Sequence, residues 1–350
     1  MPSQSPGFAA CEQLLAVCGV TGDSDVVALL SVASPAPSAP QRLRHLERWA
    51  HAGPVTELHV ASYGNSGALA LLAGSAHGAV TRVRLQMPSS AASPDGAVVL
   101  DDDGSGACPA WLQMGALAGE VSSLDSETAT HEVLVATTGG TLACVALTSG
   151  GGGKEALSVL HESRFSAFAA ARWAARGTAL TVGAAPGLTV WDARARPSDA
   201  GTARAGGAGS RSRYGCLAVD PAQPSLVAAG DADAASVCLW DLRKGATPLA
   251  VLSLAVPPAG GPTWCVAFDQ GACFSAAPSP GCVLACTASG MLFSAAPNAP
   301  PRLLASEAAA VSHLALEPSA FAQLVAVTDA ECLLLWDATR GEEEQDNMAP

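Results

Sequence analysis

The sequence predicts an all-β fold, a seven-bladed β-propeller, from a repeated unit and from its many turn-forming residues. Three Trp-Asp dipeptides lie 49 and then 96 residues apart, at Trp191-Asp192, Trp240-Asp241 and Trp336-Asp337. A period of about 40–50 residues that ends in Trp-Asp is typical of propeller blades, each of which is a four-stranded sheet. The many alanines favour the alternative, a helical bundle. However, 35 Gly and 24 Pro interrupt the whole chain, so we expect helix at most in short pieces such as residues 42–50.

The two clearest units span residues 216–245 and 313–341. Each has an apolar strand, an acid-Pro turn, a second apolar strand, a turn that bears Asp, and a third strand that closes on Trp-Asp. Short aliphatic runs that Pro, Gly and Asp separate are signals of strands and hairpins. The template therefore predicts strand order as well as fold class.

Five further units with weaker endings bring the predicted number of blades to seven. The residues at the Trp position are Leu30, Val83, Val145, Trp191, Trp240, Phe293 and Trp336. We expect one domain over residues 1–341, with a first blade that is incomplete by about one strand. We expect loop insertions near 87–110, 148–156 and 195–213, and a disordered acidic tail over 342–350.

Composition argues against several classes of function. The net charge of −13 disfavours direct binding of nucleic acid. No apolar run reaches the ~18–20 residues of a spanning helix, so membrane insertion is not expected. Residues 1–7 contain no basic region of a signal peptide. The 11 scattered cysteines indicate a reducing compartment.

Candidate reactive groups do not form a known catalytic or metal-binding pattern. The seven histidines lie far apart, and His51 and His313 fall where propeller repeats often carry a structural histidine. Cys282 and Cys286 are two ligands short of a zinc site. The glycines before Lys154 lack the spacing of a phosphate-binding loop. We therefore expect no enzyme, metal, cofactor or small-molecule substrate, and structural roles for Asp192, Asp241, Asp337 and the turn residues Asp231, Asp233 and Asp329.

The segment from residue 180 to 197, LTVGAAPGLTVWDARARP, together with residues 214–252, resembles the small WD-repeat nucleoporins. The resemblance rests on paired endings in adjacent units, Trp191-Asp192-Ala193-Arg194 and Trp240-Asp241-Leu242-Arg243. Residues 263–268, TWCVAF, are similar to the strand that leads into the sixth blade of that family. The chain departs from the family pattern at Phe293-Ser294, where the family has Trp-Asp.

This resemblance implies a non-catalytic scaffold subunit of the Y-shaped outer-ring complex of the nuclear pore, located at the nuclear envelope and supporting nucleocytoplasmic transport. Its partners would be other nucleoporins, including an α-solenoid subunit, bound through rim and loop surfaces. The alternative is a WD-repeat adaptor that recognises a peptide or protein partner in a ubiquitin-ligase or chromatin complex. That role favours aromatic or acidic residues at the mouth of the channel, but with two Tyr and seven Phe no aromatic cage can be assigned.

Overall fold

The fold of the described residues is all-β, with no helix long and apolar enough to cross a membrane among them. The chain packs as two compact units, residues 1–165 and 166–350. The computed structural model describes residues 12–21, 24–33, 42–51, 53–63, 68–86, 98–99, 111–127, 130–147, 157–162, 167–175, 177–194, 203–205, 212–244, 247–254, 261–269, 274, 281–316, 323–330 and 332–337.

The first unit contains three antiparallel sheets. The first sheet has the order β1-β2-β3, with β1 (Glu12–Thr21), β2 (Ser24–Ala33) and β3 (Arg42–His51). The second consists of β4 (Val55–Tyr63), β5 (Ala68–Ser75), β6 (Ala79–Gln86), β7 (Val98–Val99) and β8 (Leu112–Ala116), and both β7 and β8 pair with β6. The third is formed in chain order by β9 (Val121–Glu127), β10 (Glu132–Thr137), β11 (Thr141–Ala146) and β12 (Ser158–Glu162).

The second unit contains four antiparallel sheets, each of them a simple meander. The first consists of β13 (Phe168–Ala175), β14 (Thr178–Gly183), β15 (Leu188–Asp192) and β16 (Ala203–Ala205). The second consists of β17 (Tyr214–Val219), β18 (Leu226–Asp231), β19 (Ser236–Asp241) and β20 (Ala250–Ser253). The third consists of β21 (Thr263–Phe268), β22 (Val283–Thr287), β23 (Met291–Ala295) and β24 (Arg302–Ser306). The last has three strands, β25 (Val311–Leu316), β26 (Gln323–Thr328) and β27 (Leu333–Asp337).

These sheets confirm the predicted all-β propeller class and correct the number of blades. Six blades begin at β4, β9, β13, β17, β21 and β25, and the N-terminal sheet has only three strands. The count of seven therefore becomes six blades and an incomplete N-terminal sheet. The Trp-Asp pairs close the third strand of their blades, β15, β19 and β27, as the repeat unit predicts.

The structure differs from the sequence-based expectations in strand β3 and in two loop insertions. Residues 42–50, the candidate helix, belong to strand β3, because pairing with β2 along its whole length outweighs local propensity. The insertions near 87–110 and 195–213 contain short strands, β7 and β16, which pair with the third strand of their sheets. The described residues end at 337, so the predicted acidic tail lies outside them.

The second strand of each blade is buried on both faces, which explains its continuous apolar sequence. In β18 every residue from Leu226 to Asp231 is buried. Val227 and Ala229 pack in a core with residues of β14 and β15. Ala228, on the opposite face, packs in a core with Val283 and other residues of the β21–β24 sheet. Small residues are favoured here because the side chains of two neighbouring sheets must share this space.

Two glycines permit a close approach between the second strand of one sheet and the first strand of the next. They occupy equivalent positions near the end of a second strand, Gly74 in β5 and Gly230 in β18. A Cβ atom at Gly74 would lie 2.3 Å from Cγ1 of Val121, the first residue of β9. A Cβ atom at Gly230 would lie 2.4 Å from Sγ of Cys216 and 2.7 Å from Cγ2 of Thr263, the first residue of β21. The sheets can therefore pack at this distance only without a side chain.

We expect Gly230→Ala to destabilise the protein by about 1–3 kcal/mol, because the added methyl overpacks a buried junction between two sheets. Gly215→Ala is a matched control in the same sheet, since its Cβ would meet no atom closer than 3.6 Å. Urea unfolding of both variants measures the difference in free energy of unfolding. Equal stabilities of the two variants would contradict a tight junction at Gly230.

Candidate functional site

The two predicted Trp-Asp-x-Arg endings fold into the same local structure. In each, the Asp Oδ1 accepts hydrogen bonds from the Arg backbone N and the Arg Nε. The distances are 3.0 and 3.0 Å for Asp192 and Arg194, and 3.1 and 2.9 Å for Asp241 and Arg243. Each guanidinium also donates through an Nη2 atom to the second carboxylate oxygen. The motif is thus a turn that carries its own counter-charge.

These ion pairs shift the pKa of both partners. Hydrogen bonds from Arg243 lower the pKa of Asp241 to about 2. Those from Arg194 lower the pKa of Asp192 in the same way. The Asp241 carboxylate is nearly buried, whereas the side chains of Arg243 and Lys244 are mostly exposed. The carboxylates hold the turns, and the cations face solvent.

The tryptophans of these endings are core residues. Trp191 is 5 % exposed and packs edge-on against Phe168, with ring centroids 6.1 Å apart. Trp240 is 1 % exposed and packs edge-on against Tyr214 at 6.5 Å. Trp240 shares a core with residues of the preceding sheet, including Leu188. It therefore fills the space between two blades.

The two indole N–H groups differ in their partners. Trp191 Nε1 donates to Thr181 Oγ1 at 2.8 Å. The buried Trp240 Nε1 has no partner. Ala229 occupies the position in β18 that Thr181 occupies in β14, two residues beyond the residue paired with the tryptophan. The alanine supplies no hydroxyl, which explains the unpaired donor.

The other predicted repeat residues are Phe293, Trp336 and Asp337. Phe293 is fully buried and packs in a core with Leu239 of the preceding sheet. The strand register places it two residues before the position equivalent to Trp240, which Ala295 holds. The backbones of Trp336 and Asp337 pair with Leu324 and Gln323 in β26. The side chains of Trp336 and Asp337 lie outside the described residues.

The predicted turn aspartates and structural histidine make local contacts. Asp231 Oδ1 accepts hydrogen bonds from the backbone N of Asp233 and of Ala234. Asp233 forms an exposed ion pair with Arg213 at 2.8 Å. In the first unit, His51 Nδ1 donates to the Gly53 carbonyl oxygen at 2.6 Å. These contacts stabilise turns.

Three thiols of the second unit lie close together, Cys216, Cys265 and Cys286. Burial raises the pKa of Cys216, and the hydrogen bond with Cys265 and burial raise the pKa of Cys286. Cys216 and Cys286 therefore stay protonated at neutral pH and are poor nucleophiles and ligands. Burial and the nearby Arg172 also lower the pKa of His313. Among the described residues, no group of three His, Cys, Asp or Glu side chains could hold a metal ion.

An irregularity repeated in the first strand of each blade identifies a residue that sequence patterns missed. In six described sheets this strand carries one extra residue, a β-bulge, near its start. The extra residues are Thr56, Ser122, Ala169, Gly215, Trp264 and Ser312. Five are small, and Trp264 alone is large, with 39 % of its surface exposed. Bulges often re-aim a side chain, so Trp264 is the strongest candidate for a functional side chain in this part of the chain.

Compared with known proteins, the chain matches no family model and no curated protein.

We expect Thr181→Val to lower the free energy of unfolding by about 1–3 kcal/mol, because it keeps the side-chain volume but removes the hydroxyl that accepts the buried Trp191 N–H. Ala229→Ser is the reciprocal change, since it places a hydroxyl near the unpaired Trp240 N–H and should raise stability by about 1 kcal/mol. Denaturant titration compares both variants with the parent chain. A Thr181→Val variant as stable as the parent chain would show that this hydrogen bond does not stabilise the fold.

The low pKa of Asp241 predicts a loss of stability in acid. Its folded-state pKa of about 2 lies below the ordinary value of 3.8, so the ionised group stabilises the fold above pH ~4 and loses this contribution as the pH falls toward ~2. We expect Asp241→Asn to be less stable at pH 7 and to show a shallower fall of Tm between pH 5 and 2. Arg243→Gln should flatten the same curve. An unchanged acid slope in both variants would refute the assignment.

Proposed function

We propose that this chain is a non-catalytic scaffold protein that binds other proteins through its loops and blade edges, within the outer-ring complex of the nuclear pore. The observation that carries the proposal is the pair of Trp-Asp-x-Arg turns in adjacent blades, at residues 191–194 and 240–243. They fall within the segment that resembles the WD-repeat nucleoporins, and their hydrogen bonds repeat almost atom for atom.

The contacts of these turns fit a static role. The aspartates and tryptophans are engaged within the fold, while Arg194, Arg243 and Lys244 present exposed cations on the loops after the third strands. Exposed charges on a rigid frame steer association and select a partner without chemistry at the site. We propose neighbouring nucleoporins as partners, including an α-solenoid subunit, and the nuclear envelope as the location. The proposal requires no cofactor, metal, small molecule, nucleic acid or membrane insertion.

The second candidate, an adaptor that recognises a peptide in a ubiquitin-ligase or chromatin complex, is favoured by one observation. Trp264 is an exposed aromatic side chain at a position where the other blades have small residues. Aromatic side chains are enriched among the residues that dominate protein–protein binding. The two candidates differ in whether the principal partner depends on Trp264.

Affinity purification of the tagged full chain from its own cells, followed by mass spectrometry, tests the scaffold proposal. We expect co-purification of outer-ring nucleoporins in stoichiometric amounts, and we expect Trp264→Ala to retain them. Recovery of a cullin-type ligase or a histone-modifying complex in their place would overturn the proposal. Loss of that complex from Trp264→Ala would then support the adaptor. The tag alone and Val251→Ala, a change at an exposed residue of β20, are the controls.

A further inference from the structure

Strand β20 is the outer strand of its sheet, and no described residue pairs with its outer side. Val251 is 62 % exposed, and Leu249, just before the strand, is 48 % exposed. Leu252 and Leu254 lie on the opposite face, where they pack in the core shared with the following sheet. The strand is therefore held in place by one face and leaves Val251 and an edge open to solvent.

The backbone of β20 directs hydrogen-bonding groups toward this open edge. Leu254 N donates to the Ala235 carbonyl oxygen at 2.8 Å, toward β19. Successive residues of an antiparallel strand turn their backbone groups to opposite sides. The N–H and C=O groups of Val251 and Ser253 therefore point away from β19, and both residues are exposed. These four groups can pair with an added strand.

The edge of β20 lacks the charges that usually protect an outer strand from pairing. The outer strands of the two flanking sheets each contain an arginine, Arg204 in β16 and Arg302 in β24. Strand β20 contains only Ala, Val, Leu and Ser, and Pro248 precedes it. An aliphatic outer strand without a charge is suited to the addition of an extended peptide, a common mode of peptide recognition.

Two exposed cations lie at one end of this edge. Arg243 and Lys244 belong to the loop that joins β19 to β20, and their side chains are 70 % and 66 % exposed. Leu249 N donates to the Leu239 carbonyl oxygen at 2.7 Å, so this loop closes at the Leu249 end of β20. Asp241 neutralises one of the two positive charges. One positive charge therefore remains at this end of the edge.

The other described charges of this sheet and of the preceding loop do not cancel that charge. Asp220 lies in the turn between β17 and β18, three strands away from β20. Arg213 and Asp233 pair with each other, and Asp233 precedes β19, at the end of that strand opposite to the cationic loop. Asp192 and Arg194 of the preceding sheet form a closed pair. The charge near the start of β20 is therefore positive, although the chain as a whole is acidic.

We propose that Leu249, Val251 and Ser253, with the loop cations Arg243 and Lys244, bind an extended segment of another protein in which acidic residues follow aliphatic ones. This surface is called the β20 edge. The segment adds an antiparallel strand, and its backbone exchanges hydrogen bonds with Val251 and Ser253. In this orientation its C-terminal part lies at the Leu249 end, so its acidic side chains meet the loop cations there.

A second copy of this chain is a poorer occupant of the β20 edge. Two β20 strands that pair antiparallel would place the loop cations of each copy at Ser253 and Leu254 of the other, where β20 offers no acidic residue. An edge of four residues also buries much less than the ~1,200 Å² of a stable protein interface. Charge complementarity and size both favour a short acidic segment of a different protein.

This inference goes beyond the scaffold proposal and does not depend on it. Arg243 and Lys244 are common to both proposals, whereas Val251 belongs to the β20 edge alone, and Val251→Ala remains a control for pore association. Failure of pore co-purification leaves the β20 edge unaffected. Failure of peptide binding leaves the scaffold proposal unaffected, because nucleoporins can bind through other loops.

Fluorescence anisotropy of a labelled peptide with the full chain tests the site. The probe is acetyl-Ser-Val-Thr-Val-Thr-Glu-Glu-amide, and we expect saturable binding. The same peptide with Lys in place of Glu should bind at least about fivefold more weakly, because it meets the loop cations with like charge. The peptide N-methylated at both Val residues loses the N–H groups that face β20 and should bind about tenfold more weakly or less. N-methylation at both Thr residues, which face away, should have little effect.

Hydrogen–deuterium exchange, resolved to single residues by mass spectrometry, locates the peptide. The amides of Val251 and Ser253 should exchange fast in the free chain and slow down when the probe peptide is bound. The amide of Leu254, which is already bonded to Ala235, is the internal reference.

Variants of the chain separate the backbone pairing from the charge. Val251→Pro removes an N–H that points away from β19, so the sheet keeps its own hydrogen bonds while peptide binding should weaken about tenfold or more. Lys244→Gln should weaken binding about two- to threefold and reduce its salt dependence. Leu303→Ala, at an exposed residue of the next outer strand, should bind as the parent chain does. Unchanged Tm values verify the fold, and the N-methylated peptides test the same hydrogen bonds without any change in the protein.

The outcomes that overturn the proposal are distinct from those that support it. The absence of binding up to millimolar peptide, equal binding of the two N-methylated peptides, or equal binding of the Lys peptide each refutes an acidic strand at the β20 edge. Slow exchange of the Val251 and Ser253 amides in the free monomer would show that the chain's own residues occupy the edge. The same slow exchange in a dimer would show that a second copy does.

Discussion

Contact between the second strand of one blade and the first strand of the next is the constraint on which the remaining structure depends. Gly74 and Gly230 make this contact possible because no side chain separates them from Val121 and Thr263. Once the junction between blades is this close, both faces of the second strand must be apolar. Alanine, leucine and valine therefore dominate these strands, and the mixed cores on either face follow from the same spacing.

Much of this architecture could be predicted because it is local and periodic. A third strand that ends in Trp-Asp and short strands that Pro and Gly separate follow from the residues themselves, and β15, β19 and β27 end where the motif ends. The number of blades was harder to predict. Leu30 stands at the Trp position of its unit, but this residue alone does not indicate whether the sheet that contains β2 has three strands or four. Strand β3 was missed as a strand because its pairing with β2 is a tertiary contact, which local propensity does not contain.

Of the candidate site, only the residues that stabilise turns could be predicted from the sequence. Asp192 and Asp241 are short-range features, because their partners Arg194 and Arg243 lie two residues away in the same turn. Trp264 gives no such signal, since in a linear sequence it is one apolar residue within an apolar strand. Its exposure arises from the register shift of β21, and that shift depends on hydrogen bonds between strands. Among the bulge residues of the six described blades, Trp264 is the one large side chain.

The second sheet has a divided edge. Strand β6 pairs with β8 over Ala79–Arg82 and with β7 at Leu85–Gln86, so two separate pieces of chain share one side of a single strand. The segment between β6 and β8 therefore begins and ends along the outer side of β6, two strands away from β4. Additional sequence can accumulate at such a margin without disturbing the packed strands. New loops that bind new partners can therefore arise along the outer side of β6 while the packed strands stay unchanged.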